Sequence, residues 1–257
     1  MFYFFLKSGG IRLSVELTEK ELERYGRQIM LFGEESQKRL KKARVIIVGV
    51  GGLGSVSSLY LAAAGVGKLI LVDKERIELS NLNRQILYTT KDVGKYKVEV
   101  AARRLKELNP EIEVEGVVDE ITEDNVKDYV SKVDLVVDGL DNWKTRFILN
   151  KECIRQKKPF IHAGIRGMYG QLLVVIPGKG PCLNCIIPSL PEEEKAFPVL
   201  GTTPGILGLL QATEVIKILT NYGTPAIGKL IIYDGMDLSL REIKVNRRPN
   251  CPVCGGI

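Results

Sequence analysis

An α/β fold, with a Rossmann-like, mostly parallel sheet and helices on both faces, is predicted by three observations. Strand-like apolar runs alternate with helical patterns, a glycine turn follows the first run, and an acid closes the second. The runs are VIIVGV, KLILVD, EIEVEGVV, VDLVVDGL, KPFIHAG and QLLVVIPG in chain order. The first, Arg44 to Gly49, feeds the turn GVGGLG, Gly49 to Gly54, and an apolar helix. Gly49, Gly51, Gly52 and Gly54 let the chain turn tightly and approach a phosphate without a Cβ in the way, and the helix behind them offers free N–H groups. Asp73 ends the second run, where a carboxylate can accept hydrogen bonds from ribose hydroxyls.

Later elements follow from the same patterns. Val98, Ala101, Leu105 and Leu108 share one face of a predicted helix from Lys95 to Leu108, which Asn109 and Pro110 end. Another helix is expected after Thr203, with Pro204 in its first turn, running through LLQATEVIKIL. Between them, Pro188 to Thr203 holds prolines and the acidic run Glu192 to Glu194, which predicts a mobile loop. Lys229 to Asp234 and Arg241 to Val245 read as an antiparallel C-terminal extension.

At 257 residues, 45% apolar and 26% charged, the chain can bury the core of one domain. Residues 1–16 read as an N-terminal extension and 17–257 as a single domain. The opening MFYFFLKSGG is too short for a bilayer span and lacks the charged start of a signal peptide, so a cytoplasmic protein without a membrane partner is expected. A net charge of +6 is spread among acids rather than gathered in a basic stripe, which argues against a nucleic-acid partner.

Five cysteines include two CxxC pairs, Cys182/Cys185 and Cys251/Cys254. Two such pairs from distant segments make a closed four-sulfur zinc site, structural because four protein ligands leave no open position. Proline and glycines in NCPVCGG suit a zinc knuckle, and the Gly-Gly of CGGI is explained by that turn. Disulfides are disfavoured without a secretion signal. Cys153, in a predicted helix, reads as a core residue.

Residues near the carboxyl edge of the sheet choose the chemistry. SNLNRQ (Ser80 to Gln85) and GKYK (Gly94 to Lys97) place Arg84 and Lys97 beside the phosphate turn. A triphosphate with departing pyrophosphate rewards such fixed cations more than a dinucleotide does, which points to ATP. VVDGLDN brings Asp138 and Asp141 to the same edge; Asp141 can hold Mg²⁺ on phosphate oxygens, while Asp141 or Asn142 can instead cap the helix starting at Trp143.

In order and spacing, GVGGLGS, SNLNRQ, GKYK, DGLDN and the two CxxC pairs resemble the ThiF/MoeB family, from about Leu17 to the end. The resemblance implies MgATP-dependent adenylation of the C-terminal glycine of a MoaD/ThiS-type ubiquitin-like sulfur carrier ending in Gly-Gly, with release of pyrophosphate, by a homodimer. It also implies that Gly52, Asp73, Ser80, Asn81, Arg84, Lys97, Asp141 and Asn142 contact nucleotide or metal, with Gln85 closing the SNLNRQ segment. Arg27, in RYGRQ (Arg24 to Gln28), is then the arginine that reaches the neighbouring subunit's ATP. Relatives serving molybdopterin or thiamin biosynthesis, tRNA thiolation or protein conjugation share this nucleotide site.

A terminal carboxylate, with a pKa of about 3.5, is already ionised at neutral pH and needs no general base. His162, the one histidine, stands at a strand end where it could lie near the site, but it reads rather as a hydrogen-bonded core residue. Some relatives carry a cysteine after the first CxxC pair and capture the carrier covalently; Ser189 to Pro204 has none, so a separate sulfur donor is expected. Two other readings stand beside this one. A nicotinamide-dependent oxidoreductase explains the glycine turn and Asp73 but not Arg84, Lys97 or the cysteines. A non-catalytic, zinc-stabilised binding subunit gives no reason for a complete set of phosphate ligands.

Overall fold

The structure is a computed structural model that describes residues 15–192 and 197–256. Most of the N-terminal extension (1–14), and Glu193 and Glu194 of the acidic run, lie outside the described residues. Nine α-helices are found among the described residues: α1 (Glu19–Arg24), α2 (Gly26–Phe32), α3 (Glu34–Lys42), α4 (Gly52–Ala63), α5 (Lys97–Leu108), α6 (Val126–Ser131), α7 (Trp143–Arg155), α8 (Leu183–Ile186) and α9 (Thr202–Thr220). The strands are β1 (Arg44–Val48), β2 (Lys68–Val72), β3 (Glu113–Val117), β4 (Leu135–Asp138), β5 (Phe160–Arg166), β6 (Tyr169–Val175), β7 (Lys229–Asp234) and β8 (Ser239–Lys244).

All eight strands join one sheet in the order β3-β2-β1-β4-β5-β6-β7-β8. The first five pair in parallel, and β6, β7 and β8 add antiparallel strands. Strand side chains alternate between faces, so β1 buries Val45 and Ile47 on one side and Ile46 and Val48 on the other. The first face packs against Leu40 of α3, Leu53 and Leu61 of α4, Val98 and Leu105 of α5, and Leu207 and Val215 of α9. The second packs against Val126 and Val130 of α6, Leu149 and Cys153 of α7, and the four remaining cysteines. Each fully buried aliphatic side chain here contributes about 1.5–3 kcal/mol. Cys153 is buried and its thiol is pushed up by desolvation, as a core residue requires.

Several boundaries differ from the expectations. The helix predicted from Lys95 begins at Lys97, and Leu108 is 40% exposed rather than part of its buried face. Leu108 is the last residue of α5, where the apolar stripe has already run past the sheet. β8 begins at Ser239 instead of Arg241, because a tight turn with Leu238 in the left-handed region (φ +57°) returns the chain at once and pairs Asp234 with Ser239. α9 begins at Thr202, two residues earlier than expected, with Pro204 in its first turn. The segment expected to be mobile is fastened along its described end. Gly167 N–H donates to the Pro198 carbonyl (2.7 Å), and the Gly167 carbonyl accepts from Leu200 N–H (3.1 Å) and Thr203 Oγ1 (3.0 Å). No helix among the described residues is long and apolar enough to cross a membrane.

Candidate active site

The strand order reverses between β1 and β4, and an open α/β sheet leaves a crevice at the carboxyl ends of the strands on either side of such a reversal. A cleft of about 1130 Å³ opens there. Gly49 bends the chain out of β1 with φ +84°, a conformation costly for any side chain. Gly54 is demanded by packing instead: a Cβ there would sit 1.9 Å from the Gly49 carbonyl oxygen. These two positions bring α4 against the sheet, so that the first N–H groups of α4, which have no intrahelical partner, face the cleft.

Asp73 closes β2 on the opposite lip. Its carboxylate accepts from the N–H groups of Val50 and Glu75, both at 2.8 Å, tying the strand end to the glycine turn. Burial pushes this carboxyl above its ordinary value, against the opposing pull of Lys97. Lys97, first residue of α5, is 97% covered and its ammonium is paired with the half-exposed Glu75 carboxylate. Burying an ammonium is tolerable only with such a partner. The Arg84 guanidinium donates to the Ser80 carbonyl (2.9 Å) and to Asn83 Oδ1 (3.1 Å), and has no carboxylate partner among the described residues. Asn81 holds its own turn by accepting from Glu78 N–H at 3.0 Å. Gln85 is buried against the turn with its Oε1 unpaired, an acceptor or flipped donor left for a ligand.

Of the sequence-predicted residues, Gly49, Gly51, Gly52, Asp73, Ser80, Asn81, Arg84, Gln85, Lys97, Asp141 and Asn142 all line this cleft. Two do not. Gly54 lies beneath the turn, and Arg27 is exposed on α2 away from the cleft of its own chain. The choice of helix cap is resolved as well: Asn142 Oδ1 accepts from Thr145 N–H at 2.9 Å, so Asn142 caps α7 and Asp141 stands exposed on the cleft wall.

Sequence reasoning named Asp138 and His162 but missed Arg146 and the bonds by which they support this wall. Asp138, fully buried at the end of β4, accepts from Arg146 Nε (3.1 Å), His162 Nδ1 (2.6 Å) and Leu140 N–H (3.0 Å). Arg146 returns to the same loop by donating to the Leu140 carbonyl, and also donates to the Ala163 carbonyl at 3.1 Å. The loop carrying Asp141 is thereby gripped through both polar groups of Leu140. The signal for Arg146 was its place one helical turn after Asn142, which turns it back over the loop. Burial holds the His162 imidazole below its ordinary value despite Asp138, and Asp138 stays below the carboxylate range because Arg146 and His162 outweigh its own desolvation.

Both depressed values favour the folded state at higher pH, because the unfolded chain then binds more protons. For His162, that stability is complete above about pH 6.5 and is lost as pH falls through the lower folded value; Asp138 adds a loss at still lower pH. Urea unfolding should therefore show stability declining from pH 7.5 to 5.5, and His162→Asn should flatten this limb. A wild-type profile flat across that range would refute the assignment.

The four remaining cysteines converge at the opposite end of the second face. Their sulfurs all lie within 4.8 Å of one another, all buried and none disulfide-bonded. Contacts are 4.0 Å for Cys182 to Cys185, 3.6 Å for Cys182 to Cys251 and 3.4 Å for Cys185 to Cys254. A tetrahedral zinc ion with Zn–S bonds of about 2.3 Å sets its sulfurs about 3.8 Å apart, so the donor set fits.

Comparison with known proteins agrees with this geometry. The profile of the ThiF family matches residues 25–253. The chain belongs to the ThiF family. Within it, the vegetative HesA protein of Trichormus variabilis is 44% identical over 244 residues, spanning 94% of this chain and 92% of HesA. The sulfur carrier protein adenylyltransferase of Thermus thermophilus is 42% identical over 251 residues, spanning 93% of this chain and 92% of the relative. Among solved structures, Escherichia coli MccB with MccA-N7isoASN superposes with a TM-score of 0.84 at 30% identity, covering 91% of this chain and 74% of MccB. ThiF-family membership disfavours the oxidoreductase and binding-subunit readings.

Proposed function

We propose that this ThiF-family chain uses MgATP to adenylate the C-terminal glycine of a MoaD/ThiS-type ubiquitin-like sulfur-carrier protein, releasing pyrophosphate. The observation that carries the reading is the convergence of Arg84, Lys97 and Asp141 with the glycine turn on one cleft. The kinship to a sulfur carrier protein adenylyltransferase supports the substrate class. Asp73 takes the ribose hydroxyls, and Gly49, Gly51, Gly52 and the α4 N-terminus take the phosphates, with Ser80, Asn81, Gln85 and Asn142 completing the nucleotide contacts.

The carrier's carboxylate oxygen attacks the α-phosphorus, a new O–P bond forms, and the bond to the bridging oxygen breaks with its electron pair leaving on pyrophosphate. No proton moves. The barrier is repulsion between two anions and the charge gathering on the leaving group, which fixed cations relieve. Arg84 and Lys97 serve that purpose, and Arg27 joins them from the neighbouring subunit of a homodimer. Asp141 would hold Mg²⁺, which when bound would supply further neutralisation of the phosphates. The adenylate passes to a separate sulfur donor, since Ser189 to Pro204 offers no cysteine for covalent capture. Cys182, Cys185, Cys251 and Cys254 hold a structural zinc ion, and four reduced thiols suit a cytoplasmic protein.

The test is carrier-dependent exchange of labelled pyrophosphate into ATP. Unaltered protein should exchange only when a Gly-Gly-terminated carrier is present. Asp141→Ala should lower exchange at least about 100-fold, the scale of losing one charge-stabilising group, without changing the melting temperature. Normal exchange by that variant would remove Asp141 from the site.

A further inference from the structure

Beyond Asp141 the cleft wall is made by β5 and β6, where Gly164 and Gln171 stand opposite each other in register. Behind this wall Asp138, His162 and Gln171 form a chain of polar groups leading from the sheet interior to the cleft. Chemistry fixes every donor in it. Asp138, ionised beside Arg146, can only accept, so the 2.6 Å contact puts a proton on His162 Nδ1. The neutral imidazole then carries a lone pair on Nε2. Gln171 Nε2 lies 3.4 Å from that lone pair and must donate to it. The amide NH₂ of Gln171 is thus committed to the core, which leaves Oε1 as an acceptor with no donor among the described residues. Gly164 flanks this amide, and a Cβ there would stand in ordinary contact with Gln171 Nε2 at 3.4 Å.

A Gly-Gly tail entering the cleft has no side chains to be recognised by, only backbone N–H and C=O groups and its carboxylate. We propose that Gln171 Oε1 accepts a backbone N–H of the carrier's terminal Gly-Gly segment, and that His162 is the positioning residue that fixes which end of the amide faces the tail. The inference rests on the adenylation reading above. It assigns the tail's register to a neutral hydrogen bond, separate from the cations that act on the phosphates. His162→Asn preserves a donor for Asp138 but deletes the Nε2 acceptor, which frees Gln171 to rotate.

The decisive measurement pairs enzyme variants with a ThiS-type carrier made in two forms: one ending in an ordinary Gly-Gly, the other with the terminal peptide N–H replaced by an ester oxygen. In pyrophosphate exchange, the unaltered enzyme should show a carrier KM about five- to tenfold higher for the ester form, the scale of one neutral hydrogen bond. Gln171→Met should raise the KM for the ordinary carrier by a similar factor, leave the KM for ATP unchanged, and no longer distinguish the two forms. His162→Asn should shift the carrier KM in the same direction, a split that a general loss of stability does not produce. Equal KM values for both carrier forms with the unaltered enzyme, a result needing no variant to fold, would overturn the proposal. So would ester discrimination retained in Gln171→Met. Complete absence of exchange by the unaltered enzyme is a different outcome, and it would overturn the adenylation reading and this inference together.

Discussion

Arg84→Ala is expected to lower carrier-dependent pyrophosphate exchange by at least about 100- to 1000-fold, the cost of removing one preorganised donor from a developing charge. Folding should be little affected. The guanidinium makes only two hydrogen bonds, to the Ser80 carbonyl and Asn83 Oδ1, both near the surface and each contributing about 1 kcal/mol. Arg84 has no carboxylate partner among the described residues and lines a cleft where Lys97 is already paired with Glu75, so its guanidinium can turn towards an arriving triphosphate. Arg84→Lys should recover only part of the rate, because a point charge does not reproduce a planar fork of donors. Unimpaired exchange in Arg84→Ala would remove the residue from the reaction and with it the electrostatic account of the cleft.

Cys251→Ala is expected to act on the fold instead. Losing one of four thiolates should reduce bound zinc below one ion per chain and cost about 3 kcal/mol or more. For a chain of this size that corresponds to a fall in melting temperature of about 10 °C. The effect should spread beyond the metal. Arg248 donates to the Asn184 carbonyl at 2.8 Å, its N–H reaches Cys185 Sγ at 3.4 Å, and the cysteines pack with Leu183, Leu149 and Phe160 in the second hydrophobic cluster. Release of the C-terminal segment should therefore uncover the part of the second face that Cys251 and Cys254 help to cover, while α6 and α7 stay packed on the rest. Unchanged melting with full zinc content would refute the four-thiolate site.

Features set by local geometry were legible in the chain. Gly49 is needed for one backbone angle and Gly54 for one close approach, and both demands act within a few residues of sequence. The three-residue spacing within each cysteine pair was equally plain. The Asp138, Arg146, His162 and Gln171 network was not, because its members come from β4, α7, β5 and β6, and only the sheet pairing brings them together. His162 was read correctly as a bonded core residue, yet its partners could not be named. Leu108 misled because periodicity reports which side of a helix an apolar residue occupies, and not where the sheet beneath the helix stops. The start of β8 depended on a left-handed turn residue, Leu238, of a type that sequence rarely announces.

The same strand order that opens the cleft leaves β3 and β8 as the two borders of the sheet. A border strand offers unpaired backbone groups to any other extended chain, and natural proteins deter such templating with charge. β3 carries Glu113 and Glu115, both paired with Lys68, while β8 carries Arg241, Glu242 and Lys244 among its exposed residues. Both margins of the sheet are thus guarded by charge against accidental addition of a passing extended chain, which leaves the cleft, and not the rim, as the place where a peptide end can dock.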